Sequence, residues 1–262
     1  MSAATATATA PARRHVPHAV IIAIAGAWIL AVAVEMTGDA AWLHHDRLVE
    51  HGQPWWQGLA LWLLAWQAMT VAMMLPSSLP LVRLFAHASA GQPQPRRAMV
   101  AFLGGYASAW SAFAVIALVG DVAVHRVVEA SGWLHAHQWA IGGSVLALAG
   151  GFQFTSLKEA CLRQCRHPAA FLLRYYERGT AGGFRLGARH GVFCVGCCWV
   201  LMLVMIAVGA ANLVWMAVIT ALMVHEKTRP LGARGVPVTG MALLGVASVT
   251  LIYSACRAAG VV

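Results

Sequence analysis

The stretch GVFCVGCCWVLMLVMIAVG, residues 191–209, runs nineteen positions without a charged side chain. An α-helix rises about 1.5 Å per residue, so roughly 20 apolar residues cross the hydrocarbon of a bilayer. Lipid offers no partner for open backbone N–H and C=O groups, which leaves helices and closed barrels as the spanning structures. The stretch lacks the polar–apolar alternation of a barrel strand. It reads as a membrane helix.

Working outward, six more apolar segments repeat the pattern, at about 19–36, 57–75, 98–119, 138–157, 211–225 and 236–256. The expected fold is all-α: a multi-pass membrane protein of about seven transmembrane helices (six to seven), in one domain over residues 19–257. Composition agrees, with 60% hydrophobic residues, 10% charged residues and a mean hydropathy of +0.69. Soluble domains carry roughly 25% charged residues. The spans at 191–209 and 211–225 leave only a tight turn around Gly209–Asn212. Residues 1–18 open with an Ala/Thr-rich stretch and read as a disordered cytoplasmic tail. Arg13 and Arg14 before Ala19–Val34 share the layout of a signal peptide. Glu35 follows directly, however, and the run is long enough for a span, so it reads as a retained first helix.

Orientation follows from the loop Lys and Arg residues. With the N-terminus inside, 15 of the 18 fall on the cytoplasmic side, and only Arg47, Arg126 and Arg257 fall outside. The implied location is a bacterial inner membrane. Asp39, Asp46, Glu50, Asp121 and Glu129 lie in the outer loops, and Trp42, Trp55, Trp56, Trp133 and Trp139 flank the same boundary as an aromatic belt. The basic excess is thereby explained by topology, and nucleic acid is not an expected partner. Pro76 and Pro80 remove two backbone donors, so the second span should kink or break near the inner face.

Five of the six cysteines lie between positions 161 and 198. Cys161 and Cys165 are spaced i,i+4, which puts both thiols on one helix face if the fourth helix continues past Lys158. Cys194, Cys197, Cys198 and His190 fall within an arc of roughly 100° on a helix. The segment 158–190 that carries the first pair is expected in the cytoplasm, where thiols stay reduced. Clustered reduced thiols there point to a soft-metal site, for Zn(II) or Cu(I). Packing and thiol redox chemistry stay open as alternatives, and Cys197, taken singly, reads as a packing residue. Cys256, alone near the outer end of the last helix, reads as structural.

Met202 and Met205 continue the cysteine face deeper into the bilayer, with Met73 and Met74 on the second helix and Met216 and Met223 on the sixth. Thioethers select Cu(I) over hard cations, although such a stripe also suits core packing. Glu226, beside Lys227 at the end of the sixth span, is either a functional intramembrane acid or a solvated anchor. His167 and His225 are further candidate ligands. His44, His45, His51, His125, His135 and His137 fall outside. No catalytic constellation is read: the sequence holds no nucleotide-binding glycine loop, no serine with a base and no paired carboxylates.

Three groups of residues carry a resemblance. The first is Met73-Met74-Leu75-Pro76-Ser77. The second is Gln153-x-Thr155-x-Leu157-Lys158-x-x-Cys161-Leu162-x-x-Cys165-Arg166-x-Pro168. The third is Gly187-x-x-His190-Gly191-x-x-Cys194-x-Gly196-Cys197-Cys198-Trp199, continuing through Asn212-x-x-Trp215-Met216 to Glu226-Lys227. Together they resemble a bacterial family of predicted metal-binding integral membrane proteins, a domain-of-unknown-function family, over about residues 60–230. The chain departs from that pattern at Ser156, in place of proline, and at Ala211, in place of methionine. The resemblance implies metal binding but brings no activity with it. The expected role is metal handling, transport or metallocentre assembly, with the metal ion, the lipid bilayer and a metal-delivery protein as partners. A membrane thiol–disulfide or electron-transfer protein and a non-catalytic scaffold subunit stand as alternatives.

Overall fold

The computed structural model describes residues 17–37, 54–208, 212–228 and 232–259, and all regular structure among them is helical. The helices are α1 (His18–Thr37), α2 (Trp55–Met73), α3 (Leu75–Ser89), α4 (Pro95–Ala130), α5 (Gly132–Ala136) and α6 (Trp139–Phe152). They continue with α7 (Ser156–Arg166), α8 (Pro168–Tyr175), α9 (Gly179–Val208), α10 (Leu213–Thr228) and α11 (Gly232–Ala258). Among the described residues, α1, α4, α9 and α11 are long and apolar enough to cross a membrane, and the bent pairs α2–α3 and α6–α7 raise the number to as many as six. The expected span at 211–225 corresponds to α10, whose 16 residues fall short of that length. The tail before residue 17, the loop with Trp42, His44, His45 and His51, and most of the turn at Gly209–Asn212 lie outside the described residues.

The expected break after the second span is present: α2 and α3 meet at Met74 with a bend of 73°. Pro76 sits in the first turn of α3, where a missing N–H costs nothing, and Pro80 is carried inside the helix. A second break was not legible from composition. The fourth helix does not continue past Lys158 as one rod but stops at Phe152 and restarts as α7 after a 65° bend. Thr155 caps the new helix, its hydroxyl accepting from the Lys158 N–H at 3.3 Å. Cys161 and Cys165 nevertheless share a face, because α7 is itself helical and buries Lys158, Cys161, Leu162 and Cys165 along one stripe. The polar segment 158–190 is therefore mostly helix: α7, α8 and the first turns of α9.

The tightest packing joins α4 to α9. Gly183, Gly187 and Gly191 recur every four residues on α9 and lie against Ala98, Phe102 and Tyr106 of α4, so close that a methyl group at Gly187 would overlap the Phe102 backbone. Small residues at this spacing let membrane helices approach backbone to backbone. The partners advance together along both helices, so α4 and α9 run parallel. On the other flank, Gly143 meets Leu251 and Gly150 meets Leu244, which makes α6 and α11 antiparallel. Indole N–H groups add cross-links, from Trp28 to the Ala72 carbonyl at 3.0 Å and from Trp62 to the Ala114 carbonyl at 2.9 Å. The result gathers the C-terminal ends of α2, α6 and α10 and the N-terminal part of α9 at one end of the bundle.

Candidate metal centre

Four elements meet at that end: the α2–α3 break, α7, the middle of α9 and the last turn of α10. Cys161, Cys165, Cys194, Cys197 and Cys198 are all buried there and all free. The two cysteine groups come together because α7 crosses α9 at Gly196, where the Cys161 sulfur occupies the space a side chain would need. One turn along, the thiol of Cys165 faces that of Cys197. Cys197 in turn neighbours the thiols of Cys194 and Cys198. Its residue type suits packing, but its position is the middle of the thiol group.

The methionine–proline break contributes a sixth sulfur. The Cys198 thiol lies 3.6 Å from the thioether of Met74. Met74 sits at the 73° bend and is fully buried. Met73, Met202 and Met205 are fully buried in the same core, with Met216 and Met223. They continue the apolar packing around the thiols.

Of the polar groups that line this cluster, His190 is expected from the sequence, whereas Lys227 and Tyr106 are not. The Lys227 ammonium is 95% buried and points at it, 3.1 Å from the Cys194 sulfur, 3.8 Å from that of Cys198 and 3.3 Å from the Ser77 hydroxyl. Tyr106 places its hydroxyl 3.2 Å from Cys194 and 3.5 Å from the Ser78 hydroxyl. His190 joins the same chain, its Nε2 3.1 Å from Ser78 and its ring stacked on Tyr106. Its Nδ1 is buried without a partner. His190 thus stands beside the thiols through Tyr106 and Ser78. The signal for Lys227 was its step of about 100° from Glu226 on α10, which aims two adjacent residues at different helices.

Glu226 is neither solvated nor among the sulfurs. It forms an ion pair with Lys158 of α7 at 2.8 Å, both side chains at least 97% buried. The Arg166 Nε donates to the Glu226 carbonyl at 2.7 Å. These contacts clamp α7 to α10 and so hold Cys161 and Cys165 against α9. The solvated-anchor reading of Glu226 is corrected by its burial. His167 and His225 are exposed, and His137 bonds the Trp133 carbonyl at 2.7 Å, away from the cysteines. Among the described residues, no three His, Cys, Asp or Glu side chains converge as a ready-made metal site. The sulfurs lie in one buried group whose neighbouring members can supply thiolate pairs.

Residues 63–250 match the profile of the family PpoB2, described as copper chaperone. No curated protein and no solved structure matches the chain. The matched region runs from the middle of α2 through most of α11 and includes all five clustered cysteines, Met74 and Lys227. The chain therefore belongs to the PpoB2 family of copper chaperones.

Proposed function

We propose that this protein is a multi-pass membrane carrier of Cu(I), which it takes up on thiolates of Cys161, Cys165, Cys194, Cys197 and Cys198 at the cytoplasmic end of the bundle. The observation that carries the reading is the meeting of Cys165 with Cys197, which joins two cysteine groups 29 or more positions apart in the chain. Thiolate and thioether ligands select Cu(I), and the Met74 thioether beside Cys198 favours copper over zinc. Two thiolates suffice for Cu(I), which accepts linear coordination. A bound Cu(I)–bis-thiolate unit carries one net negative charge, and the Lys227 ammonium stands where it would offset that charge.

The basic-residue distribution supports a cytoplasmic position in an inner membrane. It also surrounds the site with exposed Arg163, Arg174, Arg178, Arg185 and Arg189, a rim suited to an acidic recipient protein. His190 supports the site through Ser78 and Tyr106 and Glu226 through Lys158, while Met73, Met202 and Met205 pack in the same buried core.

The test is metal content. Protein purified from copper-supplemented cells should hold copper near or above one equivalent and lose it when Cys161, Cys165, Cys194 and Cys198 are replaced together by Ser. Full occupancy in that variant would reject the site. The Cys165–Cys197 neighbourhood also fits a thiol–disulfide protein. In that case the pair should interconvert with an electron acceptor, and its oxidised form should accumulate in cells whatever the copper supply.

A further inference from the structure

Resting on the Cu(I) reading above, we infer that Lys227 selects the metal by its charge: the buried ammonium admits a monovalent soft cation to the thiols and disfavours a divalent one. An ammonium has three donors, and each of those on Lys227 has a recipient within the site. They are the Cys194 sulfur at 3.1 Å, the Ser77 hydroxyl at 3.3 Å and the Cys198 sulfur at 3.8 Å. The cation is therefore held beside the sulfurs. Among the described residues no carboxylate pairs with it, because Glu226, its neighbour in the chain, is committed to Lys158 at 2.8 Å. A buried charge without a counter-ion is strongly unfavourable. The surroundings of Lys227 are balanced only when the sulfurs carry one net negative charge.

Metal charge decides whether that condition is met. Cys194 has thiol neighbours in Cys197 and Cys198, so two thiolates can share one ion there. Cu(I) with two thiolates carries one net negative charge, and Lys227 brings the total to zero. Zn(II) with the same two thiolates is already neutral, and Lys227 then leaves one positive charge buried. A third thiolate would restore the balance for Zn(II). Among the described residues, however, no three His, Cys, Asp or Glu side chains are placed to hold one ion, and zinc sites ordinarily use four ligands. Each thiol that joins the metal releases its proton, the remaining thiols keep theirs, and no oxidation state changes.

Softness and charge thus act as two separate criteria. The Met74 thioether, 3.6 Å from Cys198, supplies the first. Thiolates by themselves discriminate poorly, since they bind both Cu(I) and Zn(II). Lys227 supplies the second criterion without touching the metal, because an ammonium has no lone pair to donate. It is a specificity-determining residue, not a ligand.

The experiment is anaerobic titration of the full-length, reduced, detergent-purified protein with Cu(I), Ag(I) and Zn(II) in turn, each against a competing chelator of that ion. Lys227→Gln removes the charge but keeps N–H donors, Lys227→Met removes both, and Lys227→Arg keeps the charge. In the Gln and Met variants, affinity for Cu(I) and Ag(I) should fall by about tenfold while affinity for Zn(II) rises by about as much. Lys227→Arg should keep the wild-type preference. A purely structural role would lower all three affinities together. That outcome, an unchanged Cu(I)-to-Zn(II) ratio, or a ratio that shifts equally in Lys227→Arg overturns charge selection and leaves the Cu(I) reading standing. No Cu(I) bound by the wild-type protein overturns both. Circular dichroism establishes that each variant is folded, and Lys227→Gln carries the test if Lys227→Met does not fold.

Discussion

The Cys161 sulfur rests on the bare backbone of Gly196, where a Cβ would stand 2.6 Å from it. The contact brings α7 against α9 one turn from where Cys165 meets Cys197. Gly196→Ala removes no sulfur but displaces the Cys161 thiol from its place beside α9. Cu(I) affinity in chelator competition should fall by about tenfold or more, roughly 1.4 kcal/mol, while the number of reactive thiols in denaturant stays unchanged. Unaltered affinity would show that the two cysteine groups do not need to meet.

The buried Lys158–Glu226 pair should behave as a clamp. Removing one partner leaves the other charge buried and uncompensated, at a cost of about 3–5 kcal/mol. Glu226→Gln should therefore lower the melting temperature markedly in detergent, and the apolar double variant Lys158→Met/Glu226→Leu should recover most of the loss. If Glu226 were instead a copper ligand, the double variant would be stable but unable to bind Cu(I).

Lys227 acts on charge. In Lys227→Met the thiolate–copper unit loses its neighbouring cation at 3.1 Å, so Cu(I) binding should weaken by about tenfold. Folding should be preserved, since Met fits an apolar helix interior. Lys227→Arg, which keeps the charge, should lie between the two in affinity. Equal affinity in all three proteins would contradict the charge argument.

The glycine seam between α4 and α9 predicts a stability contrast within one helix pair. Gly187→Ala places a methyl into the Phe102 backbone and should destabilise the bundle by about 1–3 kcal/mol. Gly104→Ala, which meets nothing within 4 Å, should be neutral or stabilising because alanine favours the helix. Comparing the thermal denaturation of the two variants checks this directly.

Much of this fold was legible in the sequence because lipid demands uncharged helical runs. The stretch at 191–209 and the proline break after Met74 both appear where the pattern places them. The segment from Lys158 to Arg189 was harder. Its charges read as a loop, yet Lys158, Cys161, Leu162 and Cys165 keep the i, i+3, i+4, i+7 spacing of a buried helix face. The five cysteines could be found from their clustering alone. Their joining across Gly196 could not, because it depends on the 65° bend at Gln153–Thr155. Lys227 and Glu226 were hidden for a different reason. Charged residues at a helix end usually reach water, and here each is drawn inward by a partner that only the tertiary packing supplies.

The central claim is that sulfur from α7 and α9 jointly holds cuprous copper. X-ray absorption at the copper edge of the loaded wild-type protein tests it most directly. A Cu(I) edge with sulfur as the dominant scatterer, lost when Cys165 and Cys198 are both changed to Ser, is the predicted result. A copper shell built mainly of nitrogen or oxygen, or one unchanged in that double variant, would contradict it.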